Sequence, residues 1–191
     1  MLPWQLIASS NSTTKHFRTM PTITDSEIER ALENWTRHIL KGPAGQSCNN
    51  LAIVGIVSHG DVLAQRLVQR LKNAGCHAHY GAIDITLYRD DLSLRGNRPA
   101  LRSSHLPFST DDLTLILVDD VLSTGRTARA ALEVLWEYGR PARVELHCLA
   151  DKGGRQLPIQ PDYVAFNLSS ECPADVRVHL LDIDGKEDIT Y

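Results

Sequence analysis

A chain of 191 residues, 42% hydrophobic and 6% aromatic, has the size and apolar content of one domain with one core, which excludes a disordered tether or a fibre. Its 20 Lys and Arg against 23 Asp and Glu leave a formal charge of −3, so no global positive field holds nucleic acid and an anionic ligand needs a local site. The four cysteines, Cys48, Cys76, Cys148 and Cys172, form no CxxC pair, so unpaired thiols in a reducing compartment are expected rather than a zinc site or a stapled secreted domain. The sequence contains neither an apolar run long enough for a membrane span nor a signal-peptide core, and a cytoplasmic location is expected.

Residues 1–22 are rich in Ser and Thr without periodicity and read as a disordered extension ahead of a domain spanning 23–191. Thr24 and Glu27 have capping-box spacing, and Ile28, Ala31, Leu32, Trp35, Ile39 and Leu40 recur at helical spacing until Gly42 and Pro43 end the pattern. A continuous apolar run, Leu51 to Val57, predicts a buried strand, followed by a tight loop at Ser58, His59 and Gly60 and a helix closed by Gly75. Ile83, Ile85 and Leu87 alternate as a second strand. From Asp90 to Pro107 no period survives and arginines accumulate, as in a long functional loop.

The unit repeats with a strand at Leu113 to Val118 and a helix through Ala128, Ala131, Leu132 and Leu135 that ends near Gly139 and Pro141. Further strands are expected at 144–149, 163–166 and 176–181, and Asp184-Gly185 offers a turn folding 188–191 back as an edge strand. Strands alternating with helices argue for an α/β fold with a mostly parallel sheet flanked by helices.

The chemistry concentrates in Leu115 to Thr127, LILVDDVLSTGRT. It places Asp119 and Asp120 after a buried strand and a hydroxyl-rich, Gly-containing loop before a helix. Ligands of open α/β sheets bind at the carboxyl ends of the strands, and backbone N–H groups at a helix start welcome a phosphate. Ser123, Thr124, Gly125 and Thr127 suit a phosphate cradle, and the two carboxylates, one loop earlier, suit a sugar diol. An ordinary βα turn with solvated acids is the plain alternative. A phosphoacceptor receiver domain also carries Asp-Asp after an apolar strand, but near its chain start and without this loop.

The string closely resembles the phosphoribosyl pyrophosphate (PRPP) signature of type I phosphoribosyltransferases. GIVSHG, GAIDITLYRDDL, GRPARVELHCLADKGGRQLPIQPDYV and DIDGKEDITY extend the likeness, over residues 24–191, to the bifunctional pyrimidine operon regulators with uracil phosphoribosyltransferase activity. That resemblance implies a type I phosphoribosyltransferase fold with a small hood, formed by Tyr163 to Asn167, and a flexible lid. It implies a pentosyltransferase making uridine monophosphate (UMP) and pyrophosphate from uracil and PRPP, together with pyrimidine-responsive binding of an mRNA leader and homo-oligomerisation. Two other readings stay open: an RNA-binding attenuator whose pocket senses a nucleotide without much catalysis, and a related transferase for another base.

Residue by residue, the resemblance assigns ribose binding to Asp119 and Asp120, catalytic with Arg89. It places the PRPP loop at Val121, Leu122, Ser123, Thr124, Gly125, Arg126 and Thr127, and the pyrophosphate loop at Ser58, His59 and Gly60. Arg89, Arg95, Arg98 and Arg102 become the lid, and Lys152 and Val176 the base site. Mg²⁺ is expected through PRPP oxygens more than through protein side chains, and no covalent intermediate is required. The chain departs from the family at His59, where Arg is usual before Gly; at Lys152, in place of the Arg of an Asp-Arg-Gly block; at Gly154, where His is usual; and at Glu33 and Asn34 on the first helix. His77 and His79 have no third metal ligand at suitable spacing.

Overall fold

A computed structural model describes residues 21–88, 103–169 and 175–191. Five parallel strands lie in the order β3-β2-β4-β5-β6: β2 (Leu51–Ile56), β3 (His79–Ile83), β4 (Thr114–Leu122), β5 (Arg143–Asp151) and β6 (Tyr163–Asn167). β2 is buried along its whole length because both faces of the sheet are covered. Leu51 and Ile53 pack with α1 (Asp25–Lys41) and α2 (His59–Asn73), while Ala52, Val54 and Ile56 face α3 (Arg126–Trp136). The same alternation runs through β4, where Ile116 and Val118 join the α1/α2 core and Leu115 and Leu117 the α3 core.

A second, three-stranded antiparallel sheet has the order β1-β8-β7, from β1 (Thr22–Thr24), β7 (Arg177–His179) and β8 (Asp188–Thr190). Ile23, Val178, Leu180 and Ile189 anchor it in the α1/α2 core. A single helical turn, α4 (Leu181–Asp184), connects β7 to β8 and ends at Gly185 with φ +69°.

Several expectations are corrected. Tyr163–Asn167 is an edge strand of the main sheet, paired from His147↔Tyr163 to Asp151↔Asn167, and not the hood; the small second sheet stands apart from it. Residues 188–190 form the centre of that second sheet rather than an edge, because the three-residue β1 pairs on their other side. The strand expected at 83–87 is already ending: Asp84 accepts the Thr86 N–H at 2.8 Å and turns the chain into a 3-10 segment, Thr86–Tyr88, so β3 lies earlier. The strand expected at 176–181 is shortened to Arg177–His179, because the Asp184 carboxylate accepts the Leu180 N–H and starts a helical turn.

Cys48 and Cys76 are joined in a disulfide, where unpaired thiols were expected. The 3-10 segment before β2 and the loop after α2 meet at the same end of the sheet, bringing Cα atoms 28 positions apart to 5.3 Å, a proximity with no spacing signature in the sequence. Cys148 is a free, buried thiol whose pKa burial pushes up.

Candidate functional site

β2 and β4 are neighbours, yet the helix after β2 covers one face and the helix after β4 the other. The crevice between their carboxyl ends is therefore the switch point at which open α/β sheets bind ligands. A cavity of about 260 Å³ opens there, lined by Ile56, Val57, Ser58, His59, Ile85, Thr86, Asp119, Asp120, Val121 and Thr127. Of the residues singled out in the sequence, Ser58, His59, Asp119, Asp120, Val121 and Thr127 thus share one cavity. Ile85 and Thr86 were missed, since the Asp84 turn that swings them in lay inside an expected strand.

β4 runs further than the sequence suggests, so Asp119 and Asp120 belong to the strand and not to the loop after it. Pairing with β5 continues through Asp119↔Cys148, Val121↔Ala150 and Leu122↔Asp151, which makes the carboxylate pair part of a rigid ladder. Asp119 is buried and Asp120 half-buried. Asp119 Oδ1 accepts the Asp120 N–H at 3.0 Å, and Asp120 Oδ1 accepts the Val121 N–H at 2.8 Å. Leu122 departs from the rest of its loop: its side chain sits in the core and its carbonyl accepts the Lys152 N–H.

The loop Ser123–Gly125 is fixed from the far side by residues 151–159. Ser123 donates its hydroxyl to the Gly153 carbonyl at 3.2 Å, the Thr124 carbonyl accepts from Gln156 and Leu157 N–H, and Arg126 Nε donates to Gln156 Oε1 at 3.0 Å. Gly125 caps α3 with φ +90°, leaving the loop open in front of the helix start. Across the crevice Gly60 permits the closest approach: a Cβ there would lie 2.4 Å from the Val118 carbonyl oxygen. The Val57–Ser58 peptide is cis. His59 opens α2 with Nδ1 3.8 Å from Asp120 Oδ2 and Nε2 3.0 Å from Asp184 Oδ2.

Lys152 and Val176 do not line this cavity. Arg89, Arg95, Arg98 and Arg102 lie outside the described residues. Among the described residues no group of three or more His, Cys, Asp or Glu is placed to hold a metal ion, and no helix is long and apolar enough to cross a membrane.

The five-stranded parallel sheet, with an acidic strand end at its switch point, has the architecture of a type I phosphoribosyltransferase, and the phosphoribosyl transferase domain model matches residues 22–179. The chain belongs to that family and, within it, to the bifunctional PyrR proteins. It is 54% identical to the "Bifunctional protein PyrR" of Akkermansia muciniphila, covering 85% of this chain and 89% of that protein. It is 43% identical to the PyrR protein of Elusimicrobium minutum, covering 86% and 91%. Among solved structures, the hypoxanthine phosphoribosyltransferase of Trypanosoma cruzi in complex with the product IMP superposes with a TM-score of 0.68 over 92% of this chain and 96% of that one; at 18% identity the likeness is one of fold.

Proposed function

We propose that the chain transfers the phosphoribosyl group of PRPP to uracil, releasing UMP and pyrophosphate. The observation that carries this reading is the cavity itself, which unites Asp119 and Asp120 with the starts of α2 and α3 from opposite sides of one crevice. In this reading Asp119 and Asp120 accept hydrogen bonds from the ribose hydroxyls, Val121 to Thr127 enclose the 5-phosphate, and Ser58, His59 and Gly60 meet the pyrophosphate. Lys152 and Val176 border the base, and Arg89, Arg95, Arg98 and Arg102 form the lid that excludes water.

Displacement at the sugar carbon builds positive charge on the ring and negative charge on the departing pyrophosphate, so positioning and charge control suffice without a protein nucleophile. The carboxylate pair faces the sugar, where positive charge develops, and the backbone N–H groups at the helix starts face phosphates. The donor set, hard carboxylate and hydroxyl oxygens, fits Mg²⁺ brought in on PRPP, which Asp119 and Asp120 would help to hold and which would supply charge neutralisation for the leaving group. Chromatographic detection of UMP after incubation with PRPP, Mg²⁺ and uracil, with other bases in parallel, tests the reading. Product from a different base alone overturns the substrate, and no product from any base overturns the enzyme.

The resemblance also supports self-association and leader-RNA binding, and a cytoplasmic setting suits both. On the outward side of α1, Glu29 pairs with Arg70 of α2 and Arg37 donates to Asn34, so one cationic side chain of each helix is already engaged. Catalysis is accordingly the reading placed first, and loss of RNA binding with rising salt tests the other.

A further inference from the structure

The acidic C-terminal segment 182–188 lies along α2 and reaches the cavity. His59 and Arg66 are seven positions apart on α2 and so share one face. Arg66 donates to Glu187 Oε1 at 2.6 Å, to Glu187 Oε2 at 3.1 Å, and through Nε to Asp182 Oδ2 at 3.1 Å. Two turns nearer the site, Asp184 Oδ2 meets His59 Nε2 at 3.0 Å while accepting the Leu180 N–H at 2.9 Å. These two bonds, the backbone one first, hold the Asp184 carboxyl below its ordinary pKa, so it faces the imidazole as an acceptor-only carboxylate. At the base of the segment His179 Nδ1 and Asp188 Oδ1 are 2.6 Å apart, joining β7 to β8.

With Asp184 accepting, Nε2 carries a hydrogen, which fixes both the orientation of the ring and the edge it turns to the cavity. That edge is Nδ1, in this tautomer an acceptor: it lies 3.4 Å from Ser58 Oγ, whose hydroxyl it holds within the pyrophosphate loop, and 3.8 Å from Asp120 Oδ2. The ring is only 24% exposed, so it is a wall of the cavity and not a mobile surface group. No other side chain among the described residues bonds to Nε2. Without Asp184 the imidazole is free to rotate about its side-chain torsions, and the Nδ1 edge is no longer presented.

We propose that Asp184 is a positioning residue for the pyrophosphate end of PRPP: it acts through His59, and the Arg66 clamp on Asp182 and Glu187 keeps it in place. This rests on the PRPP-binding reading above. The UMP end of the site, formed by Val121 to Thr127, lies across the crevice, so removal of Asp184 affects the two ligands differently.

The test is steady-state UMP formation by the full chain with PRPP, Mg²⁺ and uracil, alongside UMP affinity by calorimetry, for wild type, D184A, D184N, H59A and the H59A/D184A pair. Loss of one oriented polar contact is expected to raise the PRPP KM of D184A about tenfold, with the uracil KM and the UMP Kd within about twofold of wild type. D184N, which retains an oxygen for the Leu180 N–H, is expected to fall between the two. In the H59A background, removing Asp184 is expected to add nothing. An unchanged PRPP KM in D184A, a UMP Kd that rises in step with it, or full additivity in the double variant overturns the proposal. A wild-type chain that neither turns over nor binds PRPP fails earlier, and overturns the underlying reading with it.

Discussion

Arg155 shows how one side chain can join two loops. Its guanidinium takes both Asp151 oxygens, at 2.9 and 2.7 Å, while also donating to the Ser123 carbonyl at 2.7 Å and the Ile159 carbonyl at 2.9 Å. The planar fork is what makes four such contacts possible, and lysine cannot reproduce it. R155K is therefore expected to loosen the phosphate loop and weaken both PRPP and UMP by roughly tenfold in calorimetry. Unchanged affinities would show that the loop holds its shape without the fork. No periodicity or spacing in the sequence marks Arg155; in the fold it is turned inward. The placement of Asp119 and Asp120 in the cavity, by contrast, was legible, because a carboxylate pair at the carboxyl end of an apolar strand falls where open α/β sheets bind ligands. Changing both to Asn is expected to abolish PRPP binding with the melting temperature retained; undiminished affinity would refute their placement at the sugar.

At the scale of elements, α1 is bound to the sheet through a polar contact in an otherwise apolar seam. Trp35 Nε1 donates to His147 Nδ1 at 2.9 Å, which leaves the hydrogen of the buried imidazole on Nε2, facing Glu145 Oε2 at 3.2 Å. Arg143 pairs with the other Glu145 oxygen at 2.8 Å, and Tyr163 stacks on Trp35 with ring centroids 5.3 Å apart. Trp35 was legible as a core position from its spacing, but its partner is 112 residues away and no local pattern joins them. W35F leaves the buried Nδ1 without its donor, and a loss of about 1–3 kcal/mol is expected in denaturant unfolding. Burial lowers the pKa of His147 below its ordinary value, while the Glu145 bond opposes the shift. The unfolded chain therefore binds more protons as pH falls through the histidine range, so this contribution to stability is complete above about pH 6.5 and is lost below it. Melting curves from pH 8 to 5 check the sign, and H147Q is expected to flatten that slope.

For the whole molecule, the second sheet and the disulfide close the domain at opposite margins of the α1/α2 core. The Cys48–Cys76 link closes a loop of 28 residues, worth about 3–4 kcal/mol by chain entropy. Reduction is expected to lower the melting temperature by roughly 6–16 °C for a domain of this length, with UMP formation retained at 25 °C. Alkylation and mass measurement without reductant check the link directly, and two free thiols at these positions would remove it.

The apolar runs at 51–57 and 113–118, each followed by a helical stripe, determined by themselves the alternating α/β class and put Asp119, Asp120 and Thr127 at the carboxyl end of a strand, where the cavity lies. Local periodicity and turn chemistry are properties of neighbouring residues, and those the sequence carries openly. Strand order, the disulfide, the inward Arg155, the Trp35–His147 contact and the approach of Asp184 to His59 were decided only by the tertiary structure. Each joins residues that share no helical turn or strand, and such pairs acquire meaning only when the sheet brings them together.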